Sequence, residues 1–186
     1  VSGVILGNTS DNVIGGTATG AGNLISANIG TGIIISGVGS TGNLVQGNLV
    51  GTDLTGIIAL GNTSQGVIIY GAPSNTIGDA TPGARNIISG NGAGVIAIVS
   101  EGATGNVVQG SYIGADATGN AVMPNNGSGI DVLVDDNIVG GSAAEEGNLI
   151  VGNVGSGVTI SFSSGNFVQG NFIGTTATST DSLGNA

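Results

Sequence analysis

The chain has no cysteine, no histidine, no lysine and no tryptophan, and its one basic side chain is Arg85. Without cysteine there is no disulfide framework and no thiol chemistry, and either redox compartment is compatible. Phosphate neutralisation needs clustered cations. A net charge of −10 with a single Arg therefore argues against nucleic acid and against anionic membrane surfaces. No run approaches the ~18 apolar residues of a spanning helix, so membrane insertion is not expected. Charged residues are only 6% and hydrophobic residues 39%, the reverse of the balance that keeps chains disordered. Met123 is the only methionine, and the start at Val1 is expected to mark a processed or excerpted product.

Glycine is abundant, at 39 of 186 residues, about three times its usual share, and has no collagen-like period. What orders the chain is a repeat of 62–63 residues. NLVQGNLVGTD from Asn43 returns as NVVQGSYIGAD from Asn106 and NFVQGNFIGTT from Asn166. NLISAN from Asn23 returns from Asn86 and Asn148, and NVIGG from Asn12 returns from Asn75 and Asn137. The three units are 3–65, 66–128 and 129–186, without a linker, and they form one elongated domain. Leu183-Gly-Asn-Ala186 followed by Val1-Ser-Gly3-Val4 reproduces the internal join at Leu60–Val67. Such an array specifies an open-ended rod rather than a closed globule.

Each unit divides again, with strand starts at Gly3, Asn23, Asn43, Gly66, Asn86, Asn106, Gly129, Asn148 and Asn166. Short β-branched runs between Gly, Asn and Thr point to strands, and no sustained helical period appears. Strands of three to five residues are not stable alone. A coil of about 20 residues that stacks on its neighbours ~4.8 Å away makes them stable, so nine coils in one rod of ~40 Å are expected. The fold class is all-β, a right-handed parallel β-helix. Asn8, Asn28, Asn48, Asn91, Asn153 and Asn171 recur five residues after a start, and Asn23, Asn43, Asn86, Asn106, Asn148 and Asn166 occupy starts. Side-chain amides stacked at one corner are expected to hydrogen-bond from coil to coil.

The pattern N-x-I-x-G-N, then G-I-x-I, then N-x-V-Q-G-N-x-I-G-T-D resembles the parallel β-helix repeats of large secreted bacterial proteins in the pectin-lyase-like superfamily. The resemblance spans the whole chain. It implies an extracellular or cell-surface location and a fold that hosts lyases, hydrolases, epimerases, adhesins and stalks, so it leaves function open. Enzymes of that superfamily use an Arg or Lys base with calcium, paired Asp residues, or a His/Asp set. Here Arg85 reads as a solvated loop cation, and Asp135-Asp136 and Glu145-Glu146 read as solvated turns. Asp53 and Asp116 are repeat-equivalent but give way to Thr176, and are expected three coils apart. No catalytic residue, cofactor or metal site is expected, and calcium at a loop finds no supporting motif. Asn8, Asn62 and Asn126 open glycosylation sequons that an Asn- and Thr-rich repeat also produces by chance.

Neither end carries a helix pattern, a charge cluster or a run of proline, so each end coil is expected to be covered by something. The expected end-to-end interface comprises Val1, Gly3, Val4 and Leu6 at one end. At the other it comprises Phe167, Phe172, Leu183, Asn185 and Ala186. The expected partner is the chain itself, as a head-to-tail homopolymer, or flanking repeats of a longer chain. Leu24, Leu44, Ile87, Val107, Leu149 and Phe167 are expected to point outward as one apolar stripe. The functional expectation is a non-enzymatic structural repeat protein. The alternatives are an adhesin or polysaccharide-binding stalk with surface polysaccharide as partner, and a non-catalytic fragment of a polysaccharide-active enzyme.

Overall fold

The computed structural model describes residues 1–143, 145–178 and 180–186. Eighteen short strands among them, β1 to β18 in chain order, fall into three parallel sheets. The first sheet stacks β1 (Val4–Gly7), β4 (Ile33–Ser36), β7 (Val67–Tyr70), β10 (Ile96–Val99), β13 (Ile130–Val132) and β16 (Val158–Ile160). The second stacks β2 (Val13–Gly15), β5 (Leu44–Gln46), β8 (Thr76–Ile77), β11 (Val107–Val108), β14 (Ile138–Gly140) and β17 (Phe167–Gln169). The third stacks β3 (Leu24–Ile25), β6 (Leu49–Val50), β9 (Ile87–Ile88), β12 (Tyr112–Ile113), β15 (Leu149–Ile150) and β18 (Phe172–Ile173). Among the described residues, helix is confined to one 3₁₀ turn, Pro82–Ala84. This is a parallel β-solenoid.

The coil count differs from the sequence expectation. Val4 pairs with Ile33, Ile33 with Val67, Val67 with Ile96, Ile96 with Ile130 and Ile130 with Val158. The chain therefore winds about six turns of 28–34 residues, not nine of 20. One 62–63-residue unit holds two turns. The expected starts lie two strands apart, whereas a coil closes on three. Gly3, Gly66 and Gly129 accordingly open strands of the first sheet, Asn43, Asn106 and Asn166 of the second, and Asn23, Asn86 and Asn148 of the third. Six turns at ~4.8 Å make a rod of ~29 Å rather than ~40 Å.

Alternation along each strand fills the core. The first sheet sends in two columns, Val4-Ile33-Val67-Ile96-Ile130-Val158 and Leu6-Ile35-Ile69-Ile98-Val132-Ile160. The second sends Ile14, Val45, Ile77, Val108, Val139 and Val168, and the third Ile25, Val50, Ile88, Ile113, Ile150 and Ile173. In the middle turns these side chains are fully buried. Identical neighbours above and below let β-branched side chains nest in one rotamer, which is why Ile and Val dominate. Corners turn too sharply for a Cβ at some positions. At Gly78, with φ +87°, an added Cβ would stand 1.9 Å from the Gln109 carbonyl oxygen.

The outward residues do not form the expected single stripe. Leu44, Val107 and Phe167 face out of the second sheet, while Leu24, Ile87 and Leu149 face out of the third. Ile87 and Leu149 are buried there, whereas Leu24 and Phe167 are exposed. After β6, β12 and β18 the chain throws out small hairpins closed by the antiparallel bridges Thr52–Ala59, Ala115–Val122 and Thr175–Ser182. They lean over the outer face of the third sheet. Gly56 lies against Leu49 and Ala117, Gly119 against the Tyr112 ring, and Ala177 packs on the buried group of Ala115, Leu149 and Val151.

Candidate functional site

Each corner of the solenoid carries its own stack of side-chain amides, so there are three stacks rather than two. Before the second sheet stand Asn12, Asn43, Asn75, Asn106, Asn137 and Asn166, each of the first five giving its backbone N–H to the next Oδ1 at 2.8–3.1 Å. Before the third sheet stand Asn23, Asn48, Asn86, Ser111, Asn148 and Asn171. Before the first sheet stand Asn28, Asn62, Asn91, Asn125, Asn153 and Asn185. In the interior of the stacks Asn43, Asn48, Asn62, Asn75, Asn91, Asn125, Asn148 and Asn153 also donate through Nδ2, both to the next Oδ1 and back to a carbonyl of the previous turn. Asn48 gives to Ile14 O at 2.9 Å and to Asn86 Oδ1 at 3.1 Å. A buried Asn is thereby satisfied on both sides, and among the described residues no buried side-chain polar atom lacks a partner.

Eleven of the twelve asparagines expected to stack are in these columns. Asn8 is not. It is exposed at φ +50°, and its Oδ1 accepts the Gly39 N–H at 3.4 Å. Sequence reasoning missed Asn12, Asn62, Asn75, Asn125, Asn137 and Asn185 as rungs, although Asn12, Asn75 and Asn137 head a recurring motif. Asn62, being a fully enclosed rung, has no room for a glycan, while Asn8 and Asn126 are exposed.

At the end faces the stacks have a direction. Amide N–H groups point toward the last turn and Oδ1 atoms toward the first. Among the described residues, the backbone N–H groups of Asn166, Asn171 and Asn185 have no acceptor, and the Oδ1 atoms of Asn12, Asn23 and Asn28 have no donor. Of the expected interface residues, Val4 and Leu6 pack on the open edge of the core, Gly3 stands against Ile25 and Asn28, and the Val1 amine donates to Ile29 O. Leu183 packs beside Leu149, Asn185 is a rung, and the Ala186 N–H donates to Asn153 O. Phe167 and Phe172 face sideways out of their sheets, because they stand one residue before the inward position. Ile160, Val168 and Ile173 fill the end face in their place and are 39–47% exposed.

The carboxylates are dispersed and engaged locally. Asp53 accepts from Thr55 Oγ1 and from the N–H groups of Ile57 and Ile58, closing its own hairpin. The Thr55 hydroxyl is the main reason its carboxyl titrates below the usual range, with the Ile58 and Ile57 amides adding to it. Asp116 does the same with Thr118, Asn120 and Ala121, and Thr176 Oγ1 takes over that role from Thr180 and Asp181 N–H. Asp53 and Asp116 lie two turns apart rather than three, because a repeat holds two turns. Asp135 accepts from Ser164 N and Glu146 from Ala143 N. Among the described residues, no three metal-ligating side chains gather.

Arg85 is not a merely solvated cation. Its guanidinium lies over the Tyr112 ring, 4.3 Å from the centroid. Nε donates to Gly110 O at 3.3 Å, and Nη2 stands 3.8 Å from Glu145 Oε2. A cation on an aromatic face is held by the ring's quadrupole. The two form one side of a cleft of about 450 Å³, floored by Leu149 and bounded by Phe172, Ala177 and Glu145. Sequence alone gave no signal for it, since Arg85, Tyr112, Glu145 and Phe172 are spread over 88 positions. No protein-family model, curated protein or solved structure matches the chain. No helix among the described residues is long and apolar enough to cross a membrane.

Proposed function

We propose that this chain is a non-enzymatic structural segment of an extracellular β-solenoid rod. The rod continues coil on coil, through further copies of the chain or through flanking repeats of a longer one. The observation that carries the reading is the complementarity of the two end faces. One presents three amide donors, at Asn166, Asn171 and Asn185, around the open core of Ile160, Val168 and Ile173. The other presents three Oδ1 acceptors, at Asn12, Asn23 and Asn28, around Val4, Leu6, Ile14 and Ile25. The rung at Asn185 also suits this stacking. Asn28, Asn62, Asn91, Asn125 and Asn153 each precede the first core residue of the next strand by five positions, and Asn185 precedes Val4 by five across an Ala186–Val1 join. The dispersed carboxylates support the absence of catalysis, and the resemblance to secreted bacterial repeats supports the location.

Face-to-face contact of this kind is heterologous and extends into an open fibre. Electron micrographs of the purified chain at rising concentration test it. Unbranched fibres with an axial repeat of about six coil spacings, ~29 Å, are expected. Leu6→Asp, which places a charge against the partner's core, shortens them. A chain that stays monomeric with both faces in water overturns assembly by copies. Turnover of a polyuronide by the chain overturns the non-enzymatic reading.

A further inference from the structure

The repeating surface breaks its own rules at two places, and these two fit each other. Each turn has a corner position four residues after the first inward residue of its first-sheet strand. In register, that position holds Asn8, Gly37, Gly71, Ser100, Val134 and Phe162. Asn8, Gly37, Gly71 and Ser100 have positive φ there, which Gly and Asn adopt at little cost, whereas Val134 does not and packs on the core. Phe162 has φ +56° and is 101% exposed. A bulky side chain in the left-handed region is an outlier, and one wholly in water gains nothing from its ring. Among the described residues no contact compensates either cost.

The second break is in the cleft. The residue preceding each rung of the third sheet's stack is Gly22, Gly47, Arg85, Gly110, Gly147 and Gly170. At Gly22 and Gly147 a Cβ would stand 1.8 and 2.0 Å from a carbonyl oxygen of the next turn. Arg85 enters this column at the end of the 3₁₀ turn Pro82–Ala84, at φ −58°. Tyr112 and Phe172 replace the Leu49 of the first unit, two turns apart on the same column, with Leu149 between them. The substitutions converge on one slot with aromatic sides, an aliphatic floor and a cation at its rim.

We infer that this slot receives Phe162 of a second copy, joining rods side by side. The charges agree with that occupant. Phe162 shares its shallow surface with Glu101, Leu133 and Asp135, while Arg85 is the only basic side chain of the sequence. The Arg85–Glu145 contact is 3.8 Å long with Glu145 largely in water, so the guanidinium is free to take an incoming carboxylate as well. Knob and slot lie on different sides of the rod, so each copy carries one of each and the contact propagates laterally. This inference does not depend on end-to-end stacking.

The test uses substitutions that the repeat itself supplies, so folding is preserved. Phe162→Ser removes the knob, and Arg85→Gly with Tyr112→Leu removes the slot. Sedimentation velocity is run on these variants, in the wild-type background and with Leu6→Asp blocking the end face. Lateral association is expected in the parent and absent in both variants. In the Leu6→Asp background a mixture of the two variants forms a species of twice the monomer mass and nothing larger, because only one knob and one slot remain. If end stacking fails while this heterodimer forms, only the fibre reading falls. Association unchanged by Phe162→Ser, a mixture that stays monomeric, or a slot that takes a saccharide while the parent stays monomeric overturns the lateral contact.

Discussion

The stack before the second sheet and the stack before the third sheet use the same chemistry, yet only one is complete. The first runs through six asparagines. The second has Ser111 at its fourth place. Ser111 still gives its N–H to Asn148 at 3.0 Å, but its hydroxyl turns to Gln109 O at 3.1 Å. Its side chain offers no acceptor to Asn86, whose own Nδ2 reaches Val45 O. A rung therefore has two separable functions. Its backbone N–H can link it to the following turn whatever its own side chain is, as Ser111 shows. Its Oδ1 alone satisfies the turn before. The solenoid tolerates loss of the second function at one corner while the other two corners hold their stacks.

Copying that defect into the intact stack is the strongest way to break the comparison. Asn106→Ser removes the acceptor of the Asn75 N–H and Nδ2, at 2.9 and 3.2 Å, in a fully buried corner. Nδ2 keeps Ser40 O and Pro73 O. The backbone N–H keeps nothing, and an unsatisfied buried donor costs about 1–3 kcal/mol. A lower urea midpoint and faster exchange of the Asn75 amide are expected. An unchanged midpoint would mean that the stacks are ornaments of the turn rather than its support.

The reciprocal change sharpens the comparison from the other side. Ser111→Asn supplies Asn86 with the missing Oδ1. Room for it exists, because Gly78 takes φ +87° beside Ser111 as Gly15 does, at +89°, beside Asn48. A gain of about 0.5–1.5 kcal/mol follows from one added hydrogen bond. It is smaller than the loss at Asn106, since no orphaned group is created along the way. Thermal unfolding of the two swaps measured side by side decides this, and a destabilised Ser111→Asn would show that the corner has relaxed around serine.

The same two stacks explain what was legible in the sequence. N-x-[IV] announces a corner, and it is identical at Asn43 and at Asn23. The residues that tell those corners apart are in the partner turns, where Val13 pairs with Leu44 and Leu24 with Leu49. Sheet class, strand positions and the inward phase were readable because β-branched alternation is local. The number of turns was not, because two corners with one motif make a 20-residue step look like a period. The motif headed by Asn12, Asn75 and Asn137 is the missing half of the Asn43, Asn106 and Asn166 stack, and taking the two together gives six turns. The cleft was illegible for a different reason. Arg85, Tyr112 and Phe172 meet only through that register.

The smallest expected effect separates corners closed by amides from hairpins closed by charge. Asparagine stacks do not titrate, and neither does the Thr176 hydroxyl that accepts Thr180 and Asp181 N–H in the third hairpin. Asp53 does titrate. Its folded carboxyl ionises below the usual range, chiefly because the Thr55 hydroxyl donates to it, together with Ile58 and Ile57 N–H. A depressed folded value means that the carboxylate's contribution is complete above the unfolded value and is lost as pH falls through the folded one. Exchange of the Ile57 and Ile58 amides, corrected for intrinsic rate, should therefore rise on acidification below about pH 4. The Thr180 amide supplies the reference at the third hairpin. Asp53→Thr should make the first hairpin behave as the third does, flat with pH, without moving global stability measurably. A first hairpin that still opens with acid after that substitution would place the titrating group elsewhere, and the division between uncharged corners and a charged hairpin would not stand.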